Sequence, residues 1–184
     1  MAFLASIRRN IYLRKLAEER DGLPPVKRPR EPLNLMNAKR ITVLFPADDG
    51  DNRKAIDRWR EGHKRAGRKI RVIGYFKEDG NAANFDFRSL SAKDLAWSGV
   101  PIGSLVEEFR TETCELLLRL GPSEHPVLDY LATINPAPLK VGPYVAETET
   151  PYQIQFDARH IEPLREQLAA IEHIFSYTNA KATT

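Results

Sequence analysis

Apolar residues recur along this chain in two rhythms, and the rhythms alternate. In some stretches every third or fourth position is apolar, as on one face of a helix; in others apolar residues are contiguous or alternate, as in a strand. Residues 2–20 read as a helix, with Phe3, Leu4, Ile7 and Ile11 on one face and Arg8, Arg9, Arg14 and Lys15 around it. The stretch DGLPPVKRPREPLN follows, and its prolines and glycine break any regular element, which predicts a linker over 21–38. RITVLF, 40–45, is β-branched and apolar, the mark of a buried strand. Asp51 is placed to cap the next helix, where Ile56, Trp59, His63 and Ala66 recur at helical spacing until Gly67. KIRVIGYF, 69–76, is a second strand. Residues 77–103 are irregular: SAKDLAW predicts one or two helical turns and SGVPIG a loop. Ser104 with Glu107 has the spacing of a capping box opening SLVEEFRTE. CELLLRL, 114–120, is the candidate central strand, and Ser123 the cap of EHPVLDYLATI, which stops before Pro136. LKVGPY, 139–144, and the alternating YQIQFDA, 152–158, complete the strands. Ile161, Leu164, Leu168, Ile171 and Phe175 form the stripe of a closing helix.

Strands alternating with helices predict an α/β fold: a small Rossmann-like, mainly parallel sheet of about five strands in flavodoxin-like order, 2-1-3-4-5, with helices on both faces. Only residues 145–151 separate the last two strand patterns, fewer than a parallel crossover ordinarily takes, so the last strand is expected antiparallel at the edge. The chain divides into a basic helical arm (1–20), the linker (21–38), the α/β domain (39–179) and a tail (180–184).

Composition adds limits. The 184 residues are 42% hydrophobic and 29% charged, ordinary for a globular protein. No apolar run reaches the roughly 20 residues of a membrane span. MAFLASIRRN is too short in apolar residues for a signal peptide, and its charges follow the apolar run instead of preceding it, so a cytoplasmic location is the simplest reading. The single cysteine, Cys114, excludes an intramolecular disulfide and a multi-cysteine metal site, and at the start of an apolar strand it reads as a buried, inert thiol. Charge changes the picture more. The net +3 hides an asymmetry: residues 1–40 carry +6 and residues 41–184 carry −3, yet Arg53 to Arg71 alone holds nine basic and two acidic residues. Positive charge is concentrated on the arm and the first core helix.

Little in the sequence asks for catalysis. The corner Asp48, Asp49, Gly50, Asp51 follows the first strand, where many α/β proteins bind phosphate, but it lacks the glycines and lysine that phosphate needs. Its paired aspartates resemble the magnesium-binding corner of response-regulator receiver domains. The third strand, however, ends in Arg119, Leu120 and Gly121, with no aspartate to phosphorylate, and helix capping accounts for the carboxylates. His63, His125, His160 and His173 show no metal or catalytic spacing, and no nucleophile elbow is present. No cofactor is expected. The charge layout instead predicts a non-enzymatic binding protein. It would dock on an anionic partner, structured RNA, a ribosomal assembly or an acidic protein, through Arg8, Arg9, Arg14 and Lys15 of the arm and Arg58, Lys64, Arg65 and Arg68 of the core. Contact of the arm with a membrane surface is a further option. The alternative is a small-ligand-binding domain, using a cleft at the strand C-termini near Asp48, Asp49, Gly121 and Gly142.

The order of ITVLFPADD, IRVIGYF, FDFRSLSAKDLAWSGVP, CELLLRL and LKVGPY after a basic N-terminal helix resembles an uncharacterised family of bacterial proteins, which implies a fold and no activity. A weaker similarity, carried by CELLLRL, its following helix and Val141-Gly142, is to the N-terminal half of heptosyltransferase-like GT-B glycosyltransferases. The glycine-containing acceptor loop and the nucleotide-sugar half are missing, so this resemblance implies at most a degenerate glycosyltransferase-like domain.

Overall fold

A computed structural model describes residues 2–23, 25, 32–78, 85–146, 149–160 and 163–178. In chain order its elements are α1 (Ala2–Asp21), β1 (Arg40–Pro46), α2 (Gly50–Arg65), β2 (Lys69–Tyr75), β3 (Arg88–Leu90), α3 (Ser104–Thr111), β4 (Leu116–Arg119), α4 (Pro126–Ile134), β5 (Leu139–Pro143), β6 (Ile154–Phe156) and α5 (Leu164–Thr178). The strands form one six-stranded sheet, ordered β3-β2-β1-β4-β5-β6, with every pairing parallel. The strand from CELLLRL lies beside the one from ITVLF, with Ile41 opposite Leu116 and Leu44 opposite Arg119. The five strands legible in the pattern keep their expected order. The sixth, β3, is a three-residue edge strand from the stretch that looked irregular.

The last strand corrects an expectation: β6 runs parallel to β5, not antiparallel. Among the described residues of this crossover, 144–146 and 149–153, none is helical. Tyr152 lies flat over Gly142, where a Cβ would stand 2.6 Å from its ring, and its hydroxyl donates to Asp129 Oδ1 at 2.7 Å. The missing side chain lets the connection hug the sheet, so a short path suffices.

Because helices cover both faces, the strands are buried on both sides and read as continuous apolar runs. Leu44, Ile73, Tyr75 and Leu117 point to one face, packed by α1, α3 and α4. Ile41, Val43, Phe45, Val72 and Leu118 point to the other, packed by α2 and α5 through Ile56, Trp59, Leu164, Leu168, Ile171 and Phe175. Ile161, at the head of the expected stripe, lies outside the described residues, as do residues 24 and 26–31 of the proline-rich stretch and the tail 180–184. No helix among the described residues is long and apolar enough to cross a membrane.

The helix caps fall elsewhere than expected. Asp49, not Asp51, caps α2: it is extended, and its side chain accepts from the backbone N–H of Asp51 at 2.7 Å and Asn52 at 3.0 Å. Gly103, at φ +103°, turns the chain into α3, so Ser104 is already inside the first turn and its box with Glu107 does not form. His125, not Ser123, caps α4, with Pro126 in the first turn. A capping box does form at Ser91 and Asp94, over the 3-10 turn Ala92–Asp94 inside SAKDLAW.

The arm is not a bystander to the core. Tyr12 is buried in the first cluster, with Leu16 packed against it, and its hydroxyl donates to the Pro126 carbonyl at 2.7 Å. Glu19 pairs with Arg110 of α3 and accepts from the Tyr130 hydroxyl of α4 at 2.9 Å. The docking face is Tyr12, Leu16 and Glu19; Phe3, Leu4 and Ile11, from the stripe legible in the sequence, are exposed.

Candidate anion-binding pocket

The loops after β1 and β4 leave the sheet toward opposite faces, the first into α2 and the second into α4. In an open parallel sheet this divergence opens a crevice at the strand carboxyl ends, where ligands bind. Beside it, beyond the ends of β2 and β4 on the face of the sheet covered by α1, lies a pocket of about 580 Å³, within the roughly 300–1,000 Å³ usual for small-molecule sites. Tyr75 and Lys77, at and beyond the end of β2, form one wall; Pro122, Glu124, His125 and Val127, leading into α4, form the second. A third is the turn 95–99, held by the bridge between Leu95 and Pro101. Ala5, Arg8, Arg9 and Tyr12 of α1 close the space. The backbone of Lys77 is fixed by Asp48, whose Oδ1 accepts its N–H at 3.0 Å. Arg8 lies against Gly99, where a Cβ would stand 3.6 Å from its guanidinium. Three cationic side chains, Arg8, Arg9 and Lys77, thus share a mainly apolar cavity with one carboxylate, Glu124.

The pocket stands beside a buried polar cluster. Arg119, the last residue of β4, is 0% exposed. Its Nε lies 2.9 Å from Asp129 Oδ1, its Nη1 donates to the Pro122 carbonyl, and its Nη2 is buried without a hydrogen-bond partner. Asp129 also accepts the His125 backbone N–H at 2.8 Å and the Tyr152 hydroxyl. Burial, with Arg119 nearby, pushes the His125 imidazole down to about 4. Its Nδ1 accepts from the Leu128 N–H at 3.4 Å, which leaves the proton of the neutral ring on Nε2. The ring stands edge-on to Tyr75, with centroids 5.2 Å apart. Burial also raises the Tyr12 and Tyr152 phenols, so both stay protonated donors.

The residues singled out in the sequence are dispersed over this frame. Arg8 and Arg9 line the pocket. Arg14 and Lys15 are exposed on α1 and share Glu18, at 2.9 and 2.7 Å. Arg58 and Arg65 are exposed on α2, Lys64 pairs with Glu61, and Arg68 contacts His63 Nδ1 at 2.7 Å. The two basic segments lie on opposite faces of the sheet. The four candidate cleft residues also do not meet in one cavity. Asp49 caps α2 and Asp48 anchors Lys77. Gly121 lines a separate pocket of about 340 Å³, its backbone held by Gln167, and Gly142 is sealed beneath Tyr152. Cys114 is buried, its thiol pushed up to about 11 by burial, and its Sγ contacts Asn135 Oδ1 at 3.3 Å. Among the described residues no three His, Cys, Asp or Glu side chains are grouped to hold a metal ion.

Sequence reasoning missed Tyr12, Tyr75, Lys77 and the pocket role of His125. Lys77 and His125 carried a positional signal: one directly follows a strand, the other directly precedes an apolar helix beginning with proline. Tyr12 had no such signal, because its partners lie more than a hundred residues away.

Fold and site together define a doubly wound α/β domain with a cationic pocket beyond the carboxyl ends of β2 and β4, closed by α1. The chain belongs to a family of unknown function (DUF6913), whose model matches residues 9–170, from within α1 to within α5. This agrees with the resemblance to an uncharacterised family; nothing supports the similarity to glycosyltransferases. No curated protein matches the chain.

Proposed function

We propose that the protein binds a small anionic ligand with an apolar body in the pocket closed by α1. The observation that carries this reading is the convergence of Arg8, Arg9 and Lys77, against the one carboxylate of Glu124, on a mainly apolar cavity at the strand carboxyl ends. Cationic groups beside low-dielectric walls attract an anion more strongly than the same groups in open water. The apolar walls favour a ligand with a hydrocarbon or aromatic body. A nucleotide triphosphate is disfavoured, since no glycine-rich turn offers backbone N–H groups to a phosphate chain. A test uses 8-anilinonaphthalene-1-sulfonate, an aromatic anion, titrated into the full-length protein. Saturable one-to-one fluorescence enhancement is expected, weakened roughly tenfold by Arg8→Glu or Lys77→Glu, about the effect of losing one charge-assisted contact. Unsaturable binding indifferent to both substitutions overturns the reading.

The exposure of Arg58 and Arg65 favours a second, weaker reading, contact of α2 with a phosphate backbone. Because α1 lies on the other face, such binding would rest on α2. Filter binding of RNA that is lost with Arg58→Glu but kept with Arg14→Glu is the expected outcome; no retention at low salt removes it.

A further inference from the structure

We propose that α1, besides closing the pocket, docks the protein onto an anionic lipid surface. The docking face of α1, Tyr12, Leu16 and Glu19, follows the i, i+4, i+7 spacing of one helix face. Phe3, Leu4, Ile7 and Ile11 lie on another, and no described element packs over Phe3 and Leu4, which are 76% and 61% exposed. An apolar stripe that the fold leaves uncovered on a helix already engaged elsewhere is a surface for something outside the chain.

Charge identifies the occupant. Residues 2–17 hold four basic and no acidic side chains. Arg14 lies on the stripe's face and Lys15 at its edge, and they share a single carboxylate, Glu18, so positive charge survives the pairing. Exposed apolar residues beside a net positive charge, on a helix without enough apolar length to span, suit a helix lying in the plane of a negatively charged membrane surface. A further exposed apolar side chain stands in the turn that lies against α1. Trp97 is 62% exposed in the turn whose Gly99 lies against Arg8. An exposed indole there suits the headgroup region, where its apolar body and N–H donor are both satisfied. A second copy of this chain would bring the same cations against one another, which disfavours a symmetric pairing through this stripe.

The full-length protein is sedimented with vesicles of phosphatidylcholine alone and with added phosphatidylglycerol, at low and high salt. Binding to the anionic vesicles is expected to exceed binding to neutral ones by roughly tenfold or more and to fall as salt rises. Leu4→Glu abolishes it and Arg14→Glu with Lys15→Glu weakens it; these residues neither line the pocket nor join the core. In a Trp59→Phe background, Trp97 emission shifts to the blue on binding. Absence of binding to anionic vesicles at low salt overturns the proposal, as does binding that survives Leu4→Glu. A concentration-dependent dimer in sedimentation equilibrium, lost with Leu4→Glu, also overturns it and assigns the stripe to a second copy.

Discussion

Arg119 carries a positive charge on a side chain with no exposed surface, and Asp129 is the carboxylate beside it. Removing one member of a buried pair leaves the other charge unpaired, which costs about 3–5 kcal/mol where that charge is fully buried; Arg119 is, whereas Asp129 is only half-buried and would keep the His125 N–H and the Tyr152 hydroxyl. Asp129→Ala is therefore expected to destabilise the protein by at least about 3 kcal/mol, and Arg119→Met by markedly less, in urea unfolding. Equal losses would show that the pair does not act through charge burial. His125 makes a second test. Its folded value of about 4 lies below the ordinary 6.5, so between these values the unfolded chain binds a proton that the folded chain refuses. Stability then rises with pH across that window. His125→Asn, which keeps a capping side chain, is expected to flatten the rise; an unchanged slope between pH 4 and 6.5 would assign it to other groups.

At the scale of elements, α1 is held by one aromatic anchor and two ion pairs, Glu19 with Arg110 and Arg20 with Glu149. Tyr12→Phe removes the bond to Pro126 and is expected to cost about 1 kcal/mol; Tyr12→Ala leaves a cavity as well and costs about 3 kcal/mol. Equal losses in thermal unfolding would mean that the ring contributes nothing beyond its hydroxyl. The bond from Arg110 holds Glu19 below its ordinary value of 4.5, so its contribution is present above that pH and fades as acid protonates the carboxylate. The strands were legible because burial on both faces demands contiguous apolar residues, as in ITVLF and CELLLRL, and parallel order follows from the helices between them. The caps were less so: Asp49 and Asp51 satisfy a cap equally well until the loop geometry selects one, and His125, not among the favoured cap residues, takes the place of Ser123 because Pro126 begins the helix. β3 was hidden because three residues cannot show a period. The pocket was the least legible: Arg8, Lys77 and His125 are far apart in sequence and meet only through the docking of α1, which uses Tyr12 and not the stripe that periodicity marks.

For the molecule as a whole, α1 unites stability and binding. It covers Val127 and Tyr130 on one face of the sheet and supplies two of the three cations around the pocket. A chain beginning at Lys39 would expose that apolar surface and open the cavity on one side. It is expected to lose about 3–5 kcal/mol, the range for losing a buried aromatic anchor and its neighbours, and to show a smaller urea m-value, because less surface is buried on folding. The same deletion should abolish saturable binding of 8-anilinonaphthalene-1-sulfonate, whereas Arg8→Glu should weaken binding while leaving stability nearly intact, since Arg8 is exposed and outside the core. This contrast separates the two roles. Ligand stabilisation follows RT ln(1 + [L]/Kd), so a saturating anion should raise the melting temperature of the full chain and leave that of the truncated chain unchanged. If the truncated chain keeps full stability, α1 is an appendage and the pocket has no closing wall. If it loses stability but keeps the anion, the ligand sits elsewhere, and the pocket of about 340 Å³ beside Gly121 and Arg159 becomes the place to look.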